Sequence, residues 1–225
     1  DMELALALSR EMVARGVPRN VHTFSALMNV CIKAGQHQTA LDVWRELQDA
    51  GGMEPVTRTY NTLMIACNSS NQWHEALGVY NEMLANGHTP NTTTYNALIT
   101  VYTKAGQLEK VMETFREMES AGCERTVITY SALISACERD GQWELALQMF
   151  SQMLREGCTP NVITYNSLIT ALAAGSQWER AADVFVQLQR QARRLGAGEG
   201  CEPDVVTYTA LINAYGRGGQ WRRAL

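Results

Sequence analysis

An all-α fold is predicted, a solenoid of stacked helix–turn–helix repeats, and three observations predict it. The phrase T-Y-N-A-L-I, or a near copy, recurs at residues 23–28, 59–64, 94–99, 129–134, 164–169 and 207–212. The steps between copies are 36, 35, 35, 35 and 43 residues. Within each period the apolar residues fall at helical spacing. A period in this range marks units too small to bury a core alone, which must stack on their neighbours.

The units run 21–56, 57–91, 92–126, 127–161, 162–204 and 205–225, the last one truncated. Residues 1–20 read as the second half of a preceding unit, and together they form one solenoid domain. Positions are counted so that the Tyr or Phe of the phrase is position 4. The first helix carries an apolar stripe at positions 4, 7, 8 and 11, as in Tyr95, Leu98, Ile99 and Tyr102. Thr holds position 3 in every unit and is assigned to the stack. Position 15 ends the helix with Gly35, Asn71, Gly106, Gly141, Ser176 and Gly219, residues suited to a tight turn. Gln follows at position 16 throughout.

The second helix has its stripe at positions 17, 20, 21, 24 and 27, as in Trp143, Ala146, Leu147, Phe150 and Met153. The small residue at position 20 (Ala40, Ala76, Ala146, Ala181, Ala224) lets the two helices approach closely. Gly at position 31 and Pro55, Pro90, Pro160 and Pro203 close the units. Trp73, Trp143, Trp178 and Trp221 share position 17, and Trp44 shares position 24 with Tyr80, Phe115, Phe150 and Phe185, so both sets read as packing residues. The first unit has one extra residue near Gly51–Gly52, and the fifth has eight within 189–199. Both insertions are expected to loop out after the second helix, with Arg190, Arg193 and Arg194 solvated.

Bulk properties exclude several classes. No run approaches the roughly 18–20 apolar residues of a membrane span, so no membrane partner is expected. Cys31, Cys67 and Cys137 share position 11, and Cys123, Cys158 and Cys201 share position 32. Equivalent positions in stacked helices lie about 8–10 Å apart, too far for a disulfide, and no C-x-x-C pair is present. Reduced, structural thiols are expected, with no metal and no cofactor. No catalytic residues are identified: His22, His37, His74 and His88 occupy scattered positions, and no deaminase signature or carboxylate cluster occurs. The opening DMELALALSREM reads as mid-unit, so the natural start is expected upstream.

The string V-[VI]-T-Y-N-[AS]-L-I, then A-G-Q, A-L-x-[VM]-F-x-x-M and G-C-x-P-[ND], resembles the pentatricopeptide repeat family over essentially the whole chain. The 34-residue tetratricopeptide repeat fits less well in period and phrase. The resemblance implies a right-handed, tetratricopeptide-like superhelix that binds single-stranded RNA at about one base per repeat. It implies base selection by positions 5 and 35: Ser25, Asn61, Asn96, Ser131, Asn166 and Thr209, with Asn20, Val56, Asn91, Thr126, Asn161 and Asp204. It implies base wedging by position 2: His22, Arg58, Thr93, Ile128, Ile163 and Val206. Of these only Ile128, Ile163 and Val206 fit the family's apolar pattern.

With RNA running 5′ to 3′ along the chain, the family's pairing rule reads U at Asn166–Asp204, A at Ser131–Asn161 and C or U at Asn61–Asn91. Asn96–Thr126 is atypical and points to a pyrimidine. Ser25–Val56 departs from the pattern because Val has no polar group. The first helices carry Lys33, Arg58, Lys104, Arg139 and Arg217 against Glu138 alone, in a chain of net charge −4. That asymmetry predicts a basic stripe on the binding side, with Lys33, Lys104, Arg139 and Arg217 at position 13 placed to contact phosphate. The expected role is sequence-selective RNA binding, without catalysis, in organellar RNA processing, stabilisation or translation. The resemblance favours the chloroplast over the mitochondrion. Two alternatives stay open: a protein-binding scaffold, with partners on the outer surface or the 189–199 loop, and the RNA-binding part of an enzyme whose catalytic domain lies elsewhere.

Overall fold

In a computed structural model of the protein, described over residues 2–50, 55–195 and 201–220, all regular structure is helical. Among the described residues there are twelve helices and no strand. In chain order they are α1 (Met2–Ala14), α2 (Val21–Lys33), α3 (His37–Asp49), α4 (Thr57–Ser69), α5 (Trp73–Ala85) and α6 (Thr92–Lys104), then α7 (Leu108–Ser120), α8 (Val127–Arg139), α9 (Trp143–Arg155), α10 (Val162–Ala174), α11 (Trp178–Leu195) and α12 (Val205–Arg217). Even-numbered helices are the first of each pair and odd-numbered helices the second. The fold is an all-α helical repeat solenoid.

The helix ends follow from the residues that repeat there. After each even helix the position-15 residue turns left-handed: φ is +73° at Gly35, +68° at Gly106 and +72° at Gly141. The next N–H then bonds back five residues, as from Gln36 to the Cys31 carbonyl and from Gln142 to that of Cys137, each at 2.9 Å. Glycine adopts this φ without a Cβ penalty. Asn71 (+60°) and Ser176 (+57°) do so against one.

The chain divides into two compact units, residues 1–101 and 102–225. In the first, α1 packs on α2, α2 on α3, α3 on α4 and α4 on α5, while α2 lies alongside α4. Phe24, Leu27, Met28 and Cys31 of α2 and Tyr60, Leu63, Met64 and Cys67 of α4 are buried. In the second, α7 packs on α8, α8 on α9, α9 on α10, α10 on α11 and α11 on α12, and α10 lies beside both α8 and α12. Burying each large apolar side chain stabilises by about 1.5–3 kcal/mol. Ala40, Ala76, Ala146 and Ala181 are fully buried where paired helices cross.

One aromatic contact recurs between consecutive repeats. The position-24 ring meets the position-4 ring of the next repeat edge-on: Trp44–Tyr60 at 5.4 Å, Phe115–Tyr130 at 5.8 Å, Phe150–Tyr165 at 5.5 Å and Phe185–Tyr208 at 5.5 Å. Such pairs add about 0.5–1.5 kcal/mol beyond their buried area. Position 17 makes a second junction. The Trp143 indole lies against Gly175, the C-cap of the next first helix, where an added Cβ would fall 2.3 Å from the ring, and the Arg180 guanidinium lies 5.1 Å from the ring centroid. Trp178 meets Gly218 in the same way. Trp221 and Ala224 lie outside the described residues.

All six cysteines are free. Burial pushes the thiols of Cys67 and Cys137 up to about 12, which keeps them protonated and unreactive.

The fifth-unit insertion corrects an expectation. α11 is 18 residues long where the other helices have 13, so the first part of the inserted stretch extends the helix instead of looping out. Gln191 on this extension accepts a 2.8 Å bond from the Tyr165 hydroxyl and donates a 2.6 Å bond to the Pro160 carbonyl. Residues 196–200, and the extra residue near Gly51–Gly52, lie outside the described residues.

Two stability changes are expected in urea unfolding. Gly175→Ala, by forcing a methyl into the Trp143 indole, should destabilise by about 1–3 kcal/mol, and Trp143→Leu in the same chain should recover part of that loss. Ser176→Gly should stabilise by about 1 kcal/mol, because it removes the left-handed Cβ clash.

Candidate nucleic-acid interface

The position-35 residues are the N-caps of the first helices, and the position-3 threonines are their N3 residues. Asn20, Asn161 and Asp204 each accept a bond from the N3 backbone N–H, while the Thr hydroxyl accepts one from the cap's own N–H, closing a capping box on α2, α10 and α12. Thr126 and Thr129 form the equivalent box on α8. Asn91 and Thr94 make the same pair of bonds, both at 3.1 Å. Val56 caps α4 with no side-chain bond and is exposed.

The capping box reaches across to the preceding repeat. The Thr94 hydroxyl donates to Asn61 Oδ1 at 2.7 Å, and Asn61 Nδ2 donates to Asn91 Oδ1 at 3.1 Å. The Thr207 hydroxyl donates to Asn166 Oδ1 at 2.5 Å, and Asn166 Nδ2 donates to Asp204 Oδ1 at 3.0 Å. Ser131 Oγ lies 2.7 Å from Thr164 Oγ1 and donates to Asn161 Oδ1 at 3.4 Å, and Ser25 Oγ lies 2.9 Å from Thr59 Oγ1. Position 5, position 35 and the next position 3 thus form a closed ring of side chains at Asn61–Asn91–Thr94, Ser131–Asn161–Thr164 and Asn166–Asp204–Thr207, while Val56 leaves the Ser25–Thr59 contact without a third member. Sequence reasoning assigned the threonine to packing alone. Its role in the ring was signalled by the N-x-x-T or D-x-x-T spacing of a capping box.

The ring fixes which atoms remain for a ligand. Asn61, Ser131 and Asn166 are less than a tenth exposed, so their bonds are shielded from water. Each is worth a net ~0.5–1.5 kcal/mol. Of the two ends of an Asn amide only Oδ1 can accept from a backbone N–H, so Asn91 and Asn161 turn Oδ1 inward. Their Nδ2 groups carry no hydrogen bond among the described residues. At Asp204 all three ring bonds fall on Oδ1, so Oδ2 takes no part. The backbone N–H of Thr207 holds the Asp204 carboxyl below the usual range against the opposing cost of desolvation, and the Thr207 hydroxyl, Asn166 and the Val206 N–H add to the lowering. Asp204 is therefore an ionised acceptor at neutral pH.

The remaining sequence-predicted residues fall into distinct settings. Ile128, Ile163 and Val206 are 61%, 60% and 56% exposed at the starts of their helices, well outside the core. His22, Arg58 and Thr93 are exposed at the same position. Lys33, Arg139 and Arg217 are exposed and Lys104 is half-buried. Asn96 is half-buried on α6. Thr209 is not joined to a ring: its hydroxyl donates to the Val205 carbonyl of its own helix at 2.7 Å. Val206, Thr209 and Arg217 line one cleft of about 290 Å³ between α10 and α12, with Thr170, Ala173 and Asn213. No group of three or more His, Cys, Asp or Glu side chains able to hold a metal occurs among the described residues. No helix among them is long and apolar enough to cross a membrane.

Glu138 is half-buried beside Arg139, and burial raises its carboxyl pKa against a hydrogen bond to Ser167 and the Arg139 charge. The folded state therefore holds this proton more tightly than the unfolded chain does. The group favours folding at acid pH and loses that contribution as pH rises through its folded pKa. Glu138→Gln should raise the unfolding temperature at pH 7, and the gain should shrink towards about pH 4.

Family models match most of the chain. One described as PPR repeat family matches residues 55–100, 90–139 and 125–174, and one described as pentatricopeptide repeat domain matches 7–70. Models described as PPR repeat match 163–191 and 199–225. A chloroplastic pentatricopeptide repeat-containing protein of Arabidopsis thaliana is 33% identical over 86 residues, which is 38% of this chain and 11% of that protein. The crystal structure of maize pentatricopeptide repeat protein PPR10 matches all of this chain and 31% of its own, at 28% identity and a TM-score of 0.65. The complex of PPR10 with an 18-nucleotide psaJ RNA element matches 99% of this chain and 32% of its own, at 23% identity and a TM-score of 0.63. The PPR domain of Arabidopsis thaliana protein-only RNase P 1, in complex with tRNA, shares the fold at 16% identity and a TM-score of 0.66, over 87% of this chain and 95% of its own. The chain thus spans about a tenth of the Arabidopsis chloroplastic relative and about a third of the maize protein.

Proposed function

The chain belongs to the pentatricopeptide repeat family, and on that premise we propose that it is a sequence-selective single-stranded RNA-binding module that reads about one base per repeat. The observation that carries this reading is the ring joining positions 5 and 35. In the second, fourth and fifth units it leaves a defined donor or acceptor, and RNA-bound relatives such as maize PPR10 support RNA as the ligand. The role proposed for these repeats is binding alone.

The atoms outside the ring match base edges. Asp204 Oδ2 is an acceptor, suited to a base with an imino N–H, which is uracil or guanine. The second Nδ2 hydrogen of Asn166 suits the adjacent uracil carbonyl. Asn91 and Asn161 instead offer an Nδ2 donor, suited to a ring nitrogen with a lone pair, in cytosine or adenine. The longer Asn61 favours the smaller cytosine, and the shorter Ser131 leaves room for adenine. This reasoning reproduces U at the fifth unit and A at the fourth, and it favours C over U at the second. The exposed Ile128, Ile163 and Val206 are suited to wedge between neighbouring bases. Lys33, Lys104, Arg139 and Arg217 are suited to phosphate, which predicts a modest salt dependence. Action on chloroplast transcripts is proposed from the chloroplastic relative.

Selection from random RNA on the 225-residue chain tests the reading. The expected motif has U one base 3′ of A, assigned to units five and four. Asn166→Ser shortens the fifth selector and keeps the Asp204 acceptor, so that base should move from U towards G. Binding that keeps U in the variant would show that the per-repeat assignment is wrong.

A further inference from the structure

We infer that the position-3 threonines are specificity-determining positioning residues, each acting on the base read by the repeat before its own. The inference rests on the proposed reading of bases by positions 5 and 35. Thr94, Thr164 and Thr207 have no solvent exposure, so they act on RNA only through another side chain. That side chain is the preceding repeat's selector: Asn61, Ser131 and Asn166 respectively.

The direction of each hydrogen bond follows from the backbone. The cap N–H of Asn91, Asn161 or Asp204 donates to the threonine oxygen at 3.1, 3.3 and 3.1 Å. A backbone N–H cannot reverse its role, so the single threonine proton must point elsewhere. In the Asn repeats its nearest acceptor is the selector: 2.7 Å to Asn61 and 2.5 Å to Asn166, against 3.1 and 2.9 Å to the cap oxygens. The selector's Oδ1 is thereby held inward. One Nδ2 hydrogen is spent on position 35, and the other is left as the donor offered to the base. Where the selector is Ser131, the contact with Thr164 runs between two hydroxyls and either can donate. The polarity of Ser131 towards a base then depends on where the threonine proton points. The threonine hydroxyl thus sets the donor or acceptor character of a side chain 33 to 41 residues earlier.

A one-repeat offset is the signature of this role. Thr207 lies in the sixth unit and should alter selection at the fifth base. In the 225-residue chain, Thr207→Val keeps the side-chain shape and removes the hydroxyl, and Thr207→Ser keeps the hydroxyl. The probes are three sets of four oligonucleotides, each set varying only the base that faces unit four, five or six, with thermal unfolding of each variant recorded alongside. Thr207→Val should reduce the preference for U about fivefold, the loss of one hydrogen bond, and leave the A preference at unit four intact. Thr207→Ser should retain both. Thr164→Val provides the same test at the fourth base if Thr207→Val unfolds. Equal weakening towards all four oligonucleotides of the unit-five set, or a change at the sixth base, would overturn the inference and leave the threonine a structural residue. If the wild-type chain shows no preference at the fifth base, the reading by positions 5 and 35 fails first, and the inference falls with it.

Discussion

The hydroxyl of the position-3 threonine is the interaction on which the rest of this structure depends. At Thr94 and Thr207 it accepts from the cap of its own helix and donates across the repeat boundary to the preceding first helix. One buried group therefore starts a helix, ties two repeats together and positions the side chain proposed to meet a base. Leaving its partners without it would cost more than one ordinary hydrogen bond, because the cap N–H and a shielded amide oxygen would both lose their partner. This explains why a β-branched residue of modest helix propensity recurs at this place in every repeat.

The apolar contacts supply the stability, and the polar ring carries the selection proposed for these repeats. Edge-on aromatic pairs and the Trp143–Gly175 junction join successive repeats through the helix bodies and the far ends of the first helices. The rings sit at the N-terminal ends of the same helices. This separation leaves the selector free to vary among Asn, Ser and Thr without altering the packed stripe, since Tyr, Leu and Ile carry the burial. Position 2 follows the same logic: its isoleucines contribute nothing to the core and stay exposed.

Much of the fold was legible because each feature repeats in the chain. The stripe at positions 4, 7, 8 and 11, and the left-handed residue at position 15, mark helices and turns that the structure shows at those places. The inserted stretch departs from the expected loop because of its composition. Gln, Arg, Ala and Leu all favour helix, so Q-R-Q-A-R-R-L continues α11. The threonine was rightly read as part of the stack, but its full set of bonds was hidden for a different reason. Its capping role was visible in the three-residue spacing, but its bond to a side chain in the previous repeat is not local in sequence: Asn166 and Thr207 are 41 residues apart. Separation in the chain likewise hid the match between Trp143 and Gly175, which is set by the stacking of one repeat on the next.

The most direct measurement is a crystal structure of the 225-residue chain with a short RNA carrying A then U at the bases assigned to units four and five. The account predicts the uracil N3–H on Asp204 Oδ2 at about 2.7–3.0 Å, with the Thr207–Asn166–Asp204 ring unchanged. RNA bound away from these side chains, or a ring that opens to release Asn166 towards the base, would contradict it.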